Sequence, residues 1–367
     1  MGIHGLPDYL KKEAPEYIQQ VDVRALGVRR VAIDGHQWMT MVTKKVLADA
    51  YMDAPDPWAE LTADALDGCK QQWLRQALQN TCMWLDLEIE PVWVFDGPAP
   101  AAKATRKAER ADARARAVER LEELRTTTAT AAAAVGAGGW LVPTSDQDTR
   151  TKILSLRQQL IGLQPGWLDA LVEVLTAAGV PWVQGATEGE KVACMLWRVG
   201  KVDAVVSSDT DCLVYGCDRV ITSPRAVRVD GQVLMSLYAR PYILEFLELT
   251  DDQFVEFCIG CGCDYNTNIP RVGPVKVHEL MRDHGSIAAW PVAYKKIPLD
   301  QTCLNTAECK RLFAPCPPKD CIARASPRLA MDWDAWQTCD AALERLLGAT
   351  QATYALLSSL GYYPRRS

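Results

Sequence analysis

The sequence predicts an α/β fold: a mostly parallel central sheet flanked by helices. Three observations point there. Short apolar runs rich in β-branched residues end abruptly at carboxylates, and long helical patterns separate those runs. The composition, 49% apolar and 23% charged, is that of an ordinary globular chain. Strands alternating with helices build parallel sheets, and such sheets bind ligands outside the carboxyl ends of their strands.

Taken in order, the first run is Arg30-Val31-Ala32-Ile33, closed by Asp34-Gly35. A helical pattern over residues 64–85 follows a Pro-containing loop at 49–58. The second run, Pro91 to Phe95, closes with Asp96-Gly97. Residues 103–116 then carry six bases against two acids on a predicted helix reaching about Arg125. Lys103, Lys107, Arg110 and Arg114 recur at spacings that put them on one helical face, with Arg106 beside them. A charge run is usually a solvated face, but a one-sided stripe so close to Asp96 reads as a phosphate clamp. Residues 126–139 are a Thr/Ala/Gly stretch, expected to be a flexible linker or loop.

A helix is predicted over 167–178, and another opens at Glu188-Gly189-Glu190. Thr187-x-x-Glu190 also has the form of a capping box, which accounts for Glu190 but not Glu188. The run Val202 to Val206 leads into Asp209-Thr210-Asp211. An apolar helix over 254–260 precedes Gly262-Cys263-Asp264-Tyr265. Gly273-Pro274 then starts a helix whose free amides suit phosphate, with Arg271 and Lys276 alongside. Residues 291–330 look irregular, and a last helix is expected near 338–357.

Seven acids stand out: Asp34, Asp96, Glu188, Glu190, Asp209, Asp211 and Asp264. Brought to one sheet edge they repel one another unless cations fill the cluster. Oxygen donors select Mg²⁺ or Mn²⁺, and two such ions serve in-line attack of water on a phosphodiester. The net charge of −6 argues against a nucleic-acid partner, but setting these seven acids aside moves it to +1. Asp209-x-Asp211 alone also fits a haloacid-dehalogenase-type phosphatase, a reading that leaves Asp34 and Asp96 unexplained. Nothing approaches a membrane-spanning apolar run, and the opening residues lack a secretory h-region. Thirteen cysteines, an odd number, then read as free thiols. Cys303, Cys309, Cys316 and Cys321 lack the paired spacing of a zinc site.

On these motifs, and on the opening Met-Gly-Ile-x-Gly-Leu, the chain resembles the flap-endonuclease and XPG-type 5′-nucleases over about residues 1–290. The resemblance implies a PIN-like nuclease core over 1–290, with a helical arch insertion at 97–150 and a helix–two-turn–helix at 254–285. Residues 291–367 would form a C-terminal extension packed on that core. It implies that the seven acids hold two Mg²⁺ ions, with Mn²⁺ as substitute, and that Asp34, Asp96 and Asp209 serve catalysis. It gives Lys103 and Arg110 the role of steering the scissile phosphate. DNA contacts would come from Gly2, Lys103, Arg106, Lys107, Arg110, Arg114, Arg271, Gly273 and Lys276, with K⁺ at the helix–two-turn–helix. The resemblance implies a monomer whose partner is branched or flap DNA, cut at single-strand/duplex junctions in replication and repair, with 5′-exonuclease activity besides, inside the cell at the nucleus or another replication site. A bubble- or Holliday-junction-cutting relative, and a non-catalytic junction binder, are the alternatives.

Three departures from the family pattern are visible. Thr40 stands where the flap enzymes place a base-stacking Tyr, leaving Trp38 or Met41 to substitute. Arg271 replaces the first Gly of the Gly-Ile-Gly turn, and Val277 replaces its Ala. No sliding-clamp peptide is evident.

Overall fold

A computed structural model describes residues 2–15, 18–54, 56–136, 146–222, 227–229 and 232–326. In chain order the elements are α1 (Leu6–Glu13), β1 (Ile18–Asp22), β2 (Arg30–Asp34), α2 (Gly35–Asp53), α3 (Ala63–Asp86), β3 (Glu90–Phe95), α4 (Ala104–Gly136), α5 (Asp146–Leu160), α6 (Trp167–Ala177), β4 (Trp182–Gly185), α7 (Gly189–Arg198) and β5 (Ala204–Val206). They continue with α8 (Asp211–Val214), β6 (Arg219–Ile221), β7 (Val227–Val229), β8 (Gln232–Ala239), α9 (Arg240–Leu247), α10 (Asp251–Cys261), α11 (Pro274–His284), β9 (Ala293–Tyr294), β10 (Ile297–Pro298), α12 (Thr306–Phe313), α13 (Pro318–Cys321) and β11 (Ile322–Ala325).

Two compact units divide these elements. The first comprises the described residues within 1–37, 81–103 and 175–326. It contains a nine-stranded sheet of order β1-β8-β6-β5-β2-β3-β4-β11, with β7 also on β8. The five strands from β6 to β4 run parallel. β1, β7, β8 and β11 pair antiparallel at the flanks. β2 and β3 are apolar on both faces, as a strand covered by helices must be. Val31, Ala32, Trp93, Val94 and Phe95 are buried without remainder.

This order explains why acids so distant in sequence meet. β5, β2, β3 and β4 are neighbours and parallel, so their carboxyl ends lie on one edge of the sheet. Asp209 and Asp211 follow β5, Asp34 ends β2, Asp96 follows β3, and Glu188 and Glu190 follow β4. Close approach there requires glycine. A Cβ on Gly97 would lie 2.2 Å from the Gly185 carbonyl oxygen, and one on Gly189 would lie 2.7 Å from Asp96 Oδ1.

The second unit comprises the described residues within 38–80 and 104–174. α4 lies along α5. Trp73 is its aromatic centre, 5.7 Å from Trp38 and 5.2 Å from Trp167 between ring centroids. Trp38 is therefore packed away (7% exposed) and is not free to stack on a base, whereas Met41 is exposed. Buried Arg157 holds the irregular 57–60 segment, donating to the carbonyls of Pro57, Trp58 and Ala59 and pairing with Glu60 at 3.1 Å.

Several expectations need correction. The predicted linker at 126–139 is helical through Gly136, because Ala is the strongest helix former. The hydroxyls of Thr126, Thr127, Thr128 and Thr130 also satisfy themselves on carbonyls one turn back. Residues 137–139 lie outside the described residues, as do the helix expected at 338–357 and the chain's tail. The loop expected from residue 49 starts later, since α2 runs to Asp53. Residues 291–326 are not merely irregular: they supply α12, α13 and the edge strand β11. Cys316 and Cys321 are disulfide-paired, while the ten other described cysteines are free thiols. No helix among the described residues is long and apolar enough to cross a membrane.

Candidate active site

The acids divide into two groups around Asp209. In the first, Asp34 is almost wholly buried and tightly held: its carboxylate accepts from Gln37 N (2.9 Å) and from the Ser207 hydroxyl (2.8 Å). The Ser207 oxygen accepts in turn from Asp209 N at 3.0 Å, and the Gln37 amide oxygen accepts from Ser208 N at 2.8 Å. Ser207 and Gln37 thus tie the ends of β2 and β5 together. Burial pushes the Asp34 carboxyl up to about 7, against its two hydrogen bonds, and the charges of Asp96 and Asp209 push the same way. Burial also drives Glu190 well above the carboxylate range, with Asp34, Asp96 and Asp209 adding repulsion. Asp96 accepts from Gly189 N at 2.7 Å and faces His36 Nδ1 at 3.5 Å.

In the second group, Lys103 provides the counter-charge. Its ammonium is ion-paired with Glu188 Oε1 and lies 3.1 Å from Asp264 Oδ2. Burial alone would lower the Lys103 pKa, but Glu188, Asp264 and Asp211 together raise it. Asp211 is driven well above the usual range by burial and then by Asp209. Its Oδ1 is buried without a hydrogen-bond partner. Asp209 is raised by burial, against a hydrogen bond from Asp211 N to its Oδ1 at 3.0 Å. The other oxygen of Glu188 accepts from Tyr265, whose hydroxyl meets that of Tyr215 at 2.8 Å. Burial raises both phenol pKa values, so both hydroxyls stay protonated.

All seven predicted acids therefore lie in one unit, and Lys103 lies with them. Lys103 does not share the helical stripe expected for it. It ends a 3₁₀ turn at 101–103 just before α4, while Arg106, Lys107, Arg110 and Arg114 lie on α4 in the second unit. Lys107, Arg110 and Arg114 are exposed there. The capping box expected at Thr187 is not formed: Glu188 is the N-cap of α7 and makes no side-chain capping bond. Glu188 is instead engaged by Lys103 and Tyr265. Gly2 lies against Asp209 and Thr210, and Ile3 N donates to the Thr210 hydroxyl at 2.9 Å.

Gly273 is the N-cap of α11, as expected. Arg271 occupies the left-handed region (φ 66°) where glycine is easiest, and Lys276 Nζ donates to its carbonyl at 2.8 Å. Sequence reasoning missed Ser207, Gln37, His36, Tyr215 and Tyr265. Only Tyr265 had a local signal, its place beside Asp264.

The donor set suits hard divalent cations. It supplies carboxylate oxygens around an unpartnered buried Asp211 Oδ1, and the carboxylates of the Asp34 group repel one another. As they stand, no three His, Cys, Asp or Glu side chains among the described residues close on a single point tightly enough to hold an ion. Lys103 occupies the space between Glu188 and Asp264.

Comparison with known proteins shows the family to which this fold belongs. The XPG N-terminal domain matches residues 1–117 and the XPG I-region matches residues 179–264. Flap endonuclease 1 of Phytophthora infestans is 30% identical over 288 residues, covering 78% of this chain and 67% of that protein. Flap endonuclease 1 of Chlamydomonas reinhardtii is 31% identical over 289 residues, covering 78% and 65%. The chain thus spans about two thirds of these relatives' length. Among solved structures, the catalytic core of Rad2 in complex with DNA substrate shares the fold (TM-score 0.55, 17% identity, 98% of this chain and 100% of that one). On its sequence, its sheet topology and these matches, the chain belongs to the flap endonuclease and XPG family.

Proposed function

We infer that the chain is a structure-specific 5′-nuclease, dependent on Mg²⁺, that cuts DNA at single-strand/duplex junctions. The observation that carries this reading is the pair of carboxylate groups at one sheet edge with Lys103 bound between Glu188 and Asp264. Asp34, Asp96, Glu190 and Asp209 would hold one ion, and Glu188, Asp209, Asp211 and Asp264 the other. Bound there, such ions supply an attacking water of lowered pKa and stabilise the leaving oxygen.

The chain's own residues then have distinct tasks. Ser207 and Gln37 fix Asp34 and Asp209 before substrate arrives, so little reorganisation is left for the reaction. Lys103, held beside Glu188 and Asp264, would lend its charge to the scissile phosphate, where negative charge builds in the transition state. No protein nucleophile is needed. Arg106, Lys107, Arg110 and Arg114 would grip phosphates as an arch. The amides at the start of α11, with Arg271 and Lys276, would hold duplex backbone. A K⁺ ion at that turn would compete with the Lys276 ammonium for the Arg271 carbonyl.

The test is cleavage of end-labelled 5′-flap, nicked, bubble and four-way-junction DNA, with Mg²⁺ or EDTA. Mg²⁺-dependent cutting at the junction is the expected result. Preference for the bubble or four-way junction would keep the chemistry and change the substrate. Tight binding without any cleavage would contradict the nuclease reading.

A further inference from the structure

We propose that Tyr215 and Tyr265 form a positioning pair for Glu188, clamped from outside by Phe313 of the 291–326 segment. The proposal rests on the reading of Glu188 as a metal ligand and extends it. The two rings are buried, at 4% and 6% exposure. Tyr265 donates its hydroxyl proton to Glu188 Oε2. The Tyr215 hydroxyl sits 2.8 Å from that of Tyr265 and 3.3 Å from the same carboxylate oxygen. Lys103 takes the other oxygen, Oε1, and its ammonium lies 5.4 Å from the centre of the Tyr265 ring. The two oxygens of Glu188 are therefore assigned to different partners.

This division matters when Lys103 turns to a phosphate. Oε1 is released for a cation, while Oε2 stays bonded and the carboxylate keeps its orientation. Packing alone does not account for the hydroxyls. Phe313 meets both rings edge-on, at 5.4 Å and 5.2 Å, and two phenylalanines would fill the same space. A buried hydroxyl costs stability unless it is hydrogen-bonded, and the acceptor at the end of this pair is Glu188. The clamp is itself anchored: Lys191, next to Glu190 on α7, donates to the Leu312 carbonyl at 2.6 Å and lies over the Tyr215 ring at 5.8 Å. Residues 306–313 thereby reach the active site through two aromatic contacts.

The test uses the full chain with Tyr265→Phe, Tyr215→Phe and the double variant. Mn²⁺ binding without DNA is read from the electron paramagnetic resonance of free Mn²⁺. Single-turnover cleavage of a 5′-flap is read at saturating DNA, with DNA affinity in EDTA and Tm alongside. Loss of a partner that orients a metal ligand typically costs roughly 10–100-fold, and that is the loss expected for Tyr265→Phe in both Mn²⁺ affinity and cleavage rate. DNA affinity should not change. Tyr215→Phe should lose less in the same direction, and the double variant more than Tyr265→Phe, because the Tyr215 hydroxyl also reaches Glu188 Oε2 and can donate to it when Tyr265 is gone.

Wild-type Mn²⁺ binding and cleavage in both single variants would overturn the proposal. So would losses in DNA affinity and Tm that match the loss in rate. Asp211→Asn separates this from the underlying reading. If Asp211→Asn loses Mn²⁺ and wild type cleaves, unaffected tyrosine variants refute the pair alone. If wild type neither binds Mn²⁺ nor cleaves, the metal reading itself fails.

Discussion

The sheet edge and helix α4 deal with charge in opposite ways. At the edge, acids are buried, close and mutually repelling, held by the hydroxyls of Ser207 and Tyr265 and by backbone N–H donors, that of Gln37 among them. On α4, Lys107, Arg110 and Arg114 stand on an exposed helical surface. Lys103 comes from the same basic run in sequence, yet it is partly buried and paired with Glu188 and Asp264. Under the proposed function, one residue of a charge run would belong to the chemistry while its neighbours, a turn later, would serve attraction at long range. Burial decides which: a charge in a low-dielectric, prearranged site is worth far more than one in water.

The largest expected effect that would break this contrast is at the acids. Asp209→Asn should reduce cleavage by about a thousandfold or more, since an ion's charge stabilisation is worth several kcal/mol and each 1.36 kcal/mol is tenfold. DNA affinity in EDTA should hold or rise, and normal turnover would remove Asp209 from the site. Next comes Lys103→Ala, expected to slow single-turnover cleavage by roughly 10²–10³-fold with a much smaller change in DNA affinity. A change in affinity alone would return Lys103 to the class of α4.

Lys107→Ala or Arg114→Ala should do the reverse. Binding weakens uniformly across DNA structures, the slope of log affinity against log salt falls by about 1, and the rate at saturation barely moves. An unchanged salt slope would exclude these side chains as phosphate contacts. Smallest for activity is Trp38→Phe. It should lower Tm, because Trp38 packs on Trp73, and leave cleavage intact. A selective loss of cleavage at unchanged Tm would restore Trp38 as a candidate for base stacking.

The acid edge was legible in the sequence because each β-rich run stops at its carboxylate, and parallel pairing brings such stops together. Asp34, Asp96, Asp209 and Asp211 needed nothing more. Residues 126–136 were misread because Thr, Ala and Gly look like filler, although Ala favours helix and Thr hydroxyls can bond one turn back. Lys103 was assigned to a helical face by spacing, but the 3₁₀ turn at 101–103 changes the phase just before α4. The Thr187 capping box failed because Glu188 takes the cap position. The Ser207–Asp34 and Tyr215–Glu188 contacts span 173 and 27 residues, so no local pattern could announce them. The edge strand β11 was hidden for a similar reason: its partner β4 lies far upstream.

The central claim is that the seven acids, in two groups sharing Asp209, hold two catalytic ions. Counting Mn²⁺ bound per chain at saturation tests it most directly, in wild type, Asp34→Asn and Asp211→Asn. The account predicts two ions in wild type and one in each variant, with flap cleavage lost in both. Equal stoichiometry in all three proteins, or none bound by wild type, would contradict it.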